Sequence, residues 1–177
     1  MIGHDNCGQR QEMNYEHIIH PIPPFYEQGS RILILGSFPS VKTRESGFFY
    51  GHPQNRFWKL MAALFEEETI PASKEEKRAF AARHHIALWD SIHSCDIVGS
   101  SDSSIRNVKP NDIRMILEEA DIRMIVTNGK KSHEIYRKYC MTLTGREDVC
   151  LPSTSPANAA WTMEKLAQAW RVILETT

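Results

Sequence analysis

Arg31-Ile-Leu-Ile-Leu-Gly36 is an apolar run of strand length that stops on glycine. Such a run reads as a strand buried on both faces, the signature of a parallel sheet. Reading outward, the pattern recurs. Residues 55–67 place Phe57, Leu60, Met61, Leu64 and Phe65 at helical spacing, with Asn55 suited to the N-cap. Ser73-Lys-Glu-Glu76 is a capping box and opens a helix that runs through Phe80 to about His84. Ile86-Ala-Leu-Trp89 reads as a second buried strand ending at Asp90. Pro110 and Asn111 introduce a helix through Met115, Ile116 and Leu117, and Ile122 to Val126 is a third strand closing on Thr127-Asn128-Gly129. A helix over 131–139, a short strand over 149–151 and a last helix opening at Ser155-Pro156 complete the order. Strand and helix alternate four times. That alternation predicts an α/β fold, a three-layer α/β/α arrangement around a central four-stranded, mainly parallel sheet. Residues 1–14 are expected to form a weakly ordered tail, and 15–177 a single domain with Ile22-Pro-Pro-Phe25 as a rigid apolar lead-in.

The bulk numbers constrain function mainly by exclusion. The 177 residues carry a formal net charge of -1, so nothing announces a strongly basic nucleic-acid binder, and the case for any such partner must rest on local sites. No apolar run is long enough to span a bilayer, and residues 1–10 are polar and lack a signal-peptide core. A cytoplasmic, monomeric protein with no membrane association is expected. Cys7, Cys95, Cys140 and Cys150 show no Cys-x-x-Cys spacing, so free thiols are expected, with no metal and no cofactor.

In an open parallel sheet, ligands bind beyond the carboxyl ends of the strands. The segments following the four strands are Gly36-Ser-Phe-Pro-Ser40, Asp90-Ser-Ile-His93, Thr127-Asn-Gly-Lys-Lys-Ser132 and Leu151-Pro-Ser-Thr-Ser-Pro-Ala-Asn158. All are rich in small and hydrogen-bonding residues. Asp90 and His93 are spaced so that they could pair near such a rim. Gly129-Lys-Lys-Ser132 lacks the upstream glycine of a nucleotide-triphosphate loop, and no Gly-x-Ser-x-Gly elbow is present.

The most specific stretch is longer. Gly36-Ser-Phe-Pro-Ser40 leads to Phe48, Phe49 and Tyr50, then to His52-Pro-x-Asn-Arg-Phe-Trp58. It resembles the first motif region of the uracil-DNA glycosylase superfamily, particularly its mismatch-specific and hypoxanthine-DNA glycosylase branches. Leu151-Pro-Ser-Thr-Ser-Pro-Ala-Asn158 resembles the second motif, a Pro-Ser loop that enters the minor groove. The similarity spans roughly residues 30 to 175. One position departs from the uracil-removing members, which carry Asp or Asn just before the proline of the first motif to position or activate water. Phe38 stands there, as in the Gly-Ser-Phe-Pro form of the hypoxanthine branch.

The resemblance implies a DNA glycosylase acting on DNA that contains a deaminated base, hypoxanthine in deoxyinosine above all. It implies Asn128 and Asn55 as catalytic residues and a base pocket of Gly36, Ser37, Phe38, Phe48, Phe49, Tyr50 and His52. It implies a DNA-contacting set of Ser153, Thr154, Ser155, Pro156, Ala157, Asn158 and Lys130, with Lys42, Arg44, Arg56 and Lys131 near the same rim. The chemistry is coherent: a base must be flipped out of the duplex, stacked on aromatics and released with donors aimed at its developing negative charge. Each residue also has a structural reading. Asn55 suits an N-cap, Asn128-Gly129 a positive-φ turn, His52-Pro53 a turn, and the aromatics a core. Uracil removal, an inactive nucleic-acid binder and an enzyme of free nucleotides are the competing functions.

Overall fold

The computed structural model describes residues 14–176. The expected tail therefore lies, except for Asn14, outside the described residues, as does Cys7. The central sheet has four parallel strands in the order β3-β2-β6-β7, formed by Ile32–Gly36 (β2), Ile86–Asp90 (β3), Met124–Asn128 (β6) and Val149–Leu151 (β7). Every residue of β2 and β3 is buried, which is why residues 32–35 and 86–89 are continuously apolar. The third strand lies two residues further along than the sequence pattern suggested. Its register against β2, from Ile32 opposite Met124 to Leu35 opposite Thr127, makes Asn128 the last strand residue.

The helices are Val41–Ser46 (α1), Phe57–Leu64 (α2), Lys74–Arg83 (α3), Arg114–Glu119 (α4), Lys130–Ile135 (α5), Met141–Thr144 (α6) and Met163–Trp170 (α7). A π-helical stretch, Tyr136–Cys140, joins α5 to α6. From β2 the chain passes to β3 on one side and then returns past β2 to β6 and β7 on the other; α3 packs against β3, α5 against β6 and β7, and α7 on α2. Chain direction across the sheet therefore reverses between β2 and β6. That reversal opens a crevice at their carboxyl ends, the position where open α/β sheets bind ligands.

Three strands escaped the sequence pattern. Glu16–Ile19 (β1), Ile92–Ile97 (β4) and Arg106–Pro110 (β5) form a separate antiparallel sheet in the order β1-β4-β5. The segment expected to be a loop, Asp90 to His93, is a corner instead: β3 ends at Asp90 and β4 begins at Ile92. Asn111 fastens this corner, its side-chain amide donating to the carbonyls of Asp90 and Ile92 at 2.8 and 3.1 Å. Pro110 and Asn111 thus close a strand, and the helix they were expected to start begins at Arg114. Phe38, Ile92, Cys95, Ile97 and Ile135 form a small second core between this sheet and α5. The lead-in Ile22-Pro-Pro-Phe25 is buried at Ile22 and Phe25, and Phe25 bridges Leu88, covering the outer edge of β3.

The last helix also starts later than Ser155-Pro156. Its N-cap is Thr162, whose side chain accepts from the Lys165 N–H at 3.3 Å. Residues 153–161 form a loop because the Arg56 guanidinium occupies their carbonyls. It donates to the carbonyls of Thr154, Ser155, Asn158 and Trp161 and holds them in a course where the Asn158 and Trp161 N–H groups close three-residue turns onto Ser155 and Asn158. No helix among the described residues is long and apolar enough to cross a membrane.

Candidate active site

A cavity of about 130 Å³ opens at the predicted crevice. Gly36, Ser37, Phe38, Phe49, Tyr50, Asn55, Asn128, Ser153 and Ser155 line it, so most of the residues singled out in the sequence meet there. Phe48 and His52 do not. Phe48 is 3 % exposed and packs against Phe25, Phe49 and Trp58, a core position set by its aromatic neighbours. His52 accepts the Gln54 N–H through its Nδ1 at 3.1 Å, a turn role.

The two asparagines are joined by one threonine. Thr154 is fully buried and bridges them: its N–H donates to Asn128 Oδ1 at 3.0 Å, its hydroxyl accepts from Asn128 Nδ2 at 3.0 Å and donates to Asn55 Oδ1 at 2.9 Å. Asn55 Oδ1 also accepts the Phe57 N–H at 2.9 Å, so Asn55 closes a turn just ahead of α2, whose N-cap residue is Arg56 rather than Asn55, and lines the cavity at once. This network fixes both amide orientations. The oxygens are committed to the protein, while Asn55 Nδ2 has no partner among the described residues and Asn128 Nδ2 keeps one hydrogen to spare. What the asparagines present is therefore donor character.

Thr154, being buried, cannot reach a phosphate. The residues of its loop that do face solvent are Pro156, Ala157, Ala159 and Ala160, with Ser153, Ser155 and Asn158 half-buried. A shallow groove runs from the cavity along Ser153, Ser155, Ala157 and Asn158 to exposed Lys130. Of the other cations, Arg56 spends its donors inside the protein, Arg44 donates to the Pro39 carbonyl at 3.0 Å, and Lys42 pairs with Glu45 at 3.1 Å. The loop is held tightly to β6 where Gly129, at φ +99°, lets Ser153 approach; a Cβ there would lie 2.8 Å from the Ser153 Cβ.

Tyr50 stacks on Phe57 with ring centroids 4.0 Å apart. Its buried hydroxyl faces Asn128 without completing a hydrogen bond of ordinary geometry. Burial, and then the charge of Asp90, push its pKa well up, so it stays a neutral donor. Asp102 also lines the cavity and accepts the Ser37 hydroxyl at 3.2 Å; the residue is exposed, but partial desolvation of its carboxyl raises its pKa.

Sequence reasoning missed the partner of Asp90. Asp90 lines the cavity, but its partner is His20, not His93: His20 Nε2 lies 2.6 Å from Asp90 Oδ2, with the two side chains 2 % and 7 % exposed. The His20 N–H donates to the His93 carbonyl at 2.7 Å, which continues the β1–β4 ladder and brings His20 to the corner. Among the described residues no three His, Cys, Asp or Glu side chains gather as metal ligands. The buried thiols of Cys95 and Cys140 are raised by burial to about 11 and about 12, so both are protonated and unreactive near neutrality.

The family model described as the uracil DNA glycosylase superfamily matches residues 23–174. A hypoxanthine DNA glycosylase of Methanosarcina acetivorans is 31% identical over 152 residues, 85% of this chain and 94% of that protein. A hypoxanthine DNA glycosylase of Methanosarcina barkeri is 30% identical over 137 residues, 77% of this chain and 85% of that protein. A solution NMR structure from Methanosarcina acetivorans, of a protein assigned provisionally as a uracil DNA glycosylase, superposes with a TM-score of 0.73 at 30% identity, covering 89% of this chain and 99% of that one. The crevice between β2 and β6, the Thr154-bridged asparagines and the match over residues 23–174 lead to one statement: the chain belongs to the uracil DNA glycosylase superfamily.

Proposed function

We propose that the protein is a monofunctional DNA glycosylase of base-excision repair that flips deoxyinosine out of DNA and hydrolyses its N-glycosidic bond, releasing hypoxanthine. The observation that carries this reading is the donor character of the cavity. With their oxygens committed to Thr154 and to the Phe57 N–H, Asn55 and Asn128 have amide N–H groups left for a ligand. Cleavage of the bond leaves negative charge on the departing base, and preorganised donors stabilise that charge. Hypoxanthine offers O6 and N7 as acceptors, so it suits such a pocket. The names of the two Methanosarcina relatives support the same substrate. Phe38 fills the motif position that holds a polar residue in uracil-removing members, which disfavours uracil.

In this reading Tyr50 and Phe49 wall the flipped base, and Lys130 with the exposed part of the 153–158 loop contacts the DNA backbone, with Pro156 or Ala157 near the space the base vacates. The test is strand cleavage by alkali after incubation with labelled duplexes holding one deoxyinosine, uracil or xanthine. Hypoxanthine should be released. Asn128→Ala and Asn55→Ala should each lower the rate by roughly 10²–10³-fold, the usual cost of one lost transition-state donor. Duplex binding without excision of any base would replace the proposal with a non-catalytic DNA-binding role, and strong uracil excision would overturn the reading of Phe38.

A further inference from the structure

Building on the proposed excision reaction, we infer that Asp90, oriented by His20, holds and deprotonates the attacking water, a task the side chain of Phe38 cannot perform. Four observations converge. A carboxylate with only 7 % of its side chain exposed is costly to keep unless it is paired and used. One oxygen, Oδ2, is paired with His20; the other, Oδ1, makes no hydrogen bond among the described residues although the residue lines the cavity.

The position of Oδ1 is set by the floor of the site. A Cβ on Gly36 would lie 2.2 Å from it, so the carboxylate rests where any other residue's side chain would begin. It therefore sits at the carboxyl end of β2, in the crevice itself.

His20 is held at both ends. Its Nδ1 accepts the Ile22 N–H at 3.2 Å, which leaves the proton on Nε2 for donation to Asp90 at 2.6 Å. Phe38 meets the His20 ring edge-on at 5.6 Å, so the residue in the motif slot walls the pair off from solvent. Finally, the remaining groups around the cavity divide by role. The asparagines and Tyr50 are donors, and Asp102, whose Oδ1 accepts the Ser37 hydroxyl, is an exposed residue with no histidine behind it among the described residues. Asp90 supplies the deep, free acceptor that water activation requires.

The step balances as a hydrolysis. The C1′–N9 bond breaks with its electron pair on the base, and the water oxygen forms the new bond to C1′. The water proton passes to Asp90 and ends, through solvent, on a nitrogen of the released hypoxanthine. Before the proton moves, the carboxylate also faces the positive charge that develops on the sugar.

The experiment measures single-turnover excision and duplex affinity for deoxyinosine DNA with the full chain. Asp90→Asn, which can still accept from His20, should lower the rate of the bound complex by at least about 100-fold, within the range of general-base effects, with affinity changed less than threefold. His20→Ala should lower the rate less, and His20→Gln, which retains a donor, should recover part of it. Those paired results mark His20 as a positioning residue, since a purely structural loss would show equally in the melting temperature of both variants. Wild-type rates in Asp90→Asn, or a loss confined to affinity, would overturn the inference while leaving the excision reading intact. If Asp90→Asn does not fold, a wild-type rate in His20→Ala would overturn it as well. A wild-type protein that releases no base would overturn both.

Discussion

Thr154 shows how one buried hydroxyl carries a site that two amides seem to own. It accepts from Asn128 and donates to Asn55, so neither amide orientation is independent of it. Thr154→Val keeps the shape and removes the bridge. It leaves Asn128 Nδ2 without its acceptor and Asn55 Oδ1 with the Phe57 N–H alone, which should cost about 1–3 kcal/mol of stability, and excision should fall towards the level of the single asparagine variants. Thermal unfolding and single-turnover rates check the two halves separately; a stable variant with unaltered excision would remove Thr154 from the site.

At the scale of elements, the loop over 153–161 is shaped from outside itself. Its own residues suggested a helix start, with Ser155 for the cap and Pro156 for the first position. The Arg56 side chain decided otherwise by taking the carbonyls of Thr154, Ser155, Asn158 and Trp161. Charge-assisted bonds of this kind are worth more than neutral ones. Arg56→Ala should therefore lose about 2–3 kcal/mol and roughly 5–10 °C in melting temperature. It should also weaken DNA binding and excision, because the loop carries Thr154. Arg56→Lys should recover little, since a single ammonium cannot serve four carbonyls in a plane. Calorimetry alongside duplex titration would show whether stability and binding fall together; a variant with native stability would mean that the loop holds its shape unaided.

For the whole molecule, charge poses the main question. With 21 Lys and Arg against 22 Asp and Glu, the protein has no general attraction for DNA. Arg56 and Arg44 face inward to carbonyls, and Lys42 is paired, so local cations along the groove must provide what phosphate contact there is. Exposed Lys130 is the leading one. Lys130→Ala should weaken binding alike on damaged and undamaged duplexes and lower the slope of log affinity against log salt by about 1, leaving the rate of the bound complex unchanged. Titrations at several salt concentrations check this, and an unaltered slope would place the phosphate contacts elsewhere.

The parallel sheet was legible in the sequence because it is built from runs such as 32–35 and 86–89, where burial on both faces selects apolar residues. The motif around Asn55 was legible because one contiguous stretch holds a helix lead-in, an aromatic core and a pocket wall together, although the N-cap falls on Arg56, one residue later than the sequence suggested. The tertiary structure alone decided the antiparallel sheet, the late start of α7 and the Asp90–His20 pair. β1 and β5 are short and exposed, so they write almost no alternation. His20 and Asp90 lie 70 residues apart and meet through a ladder of backbone hydrogen bonds, which main-chain groups form whatever side chains they carry and which therefore leaves no mark in the sequence.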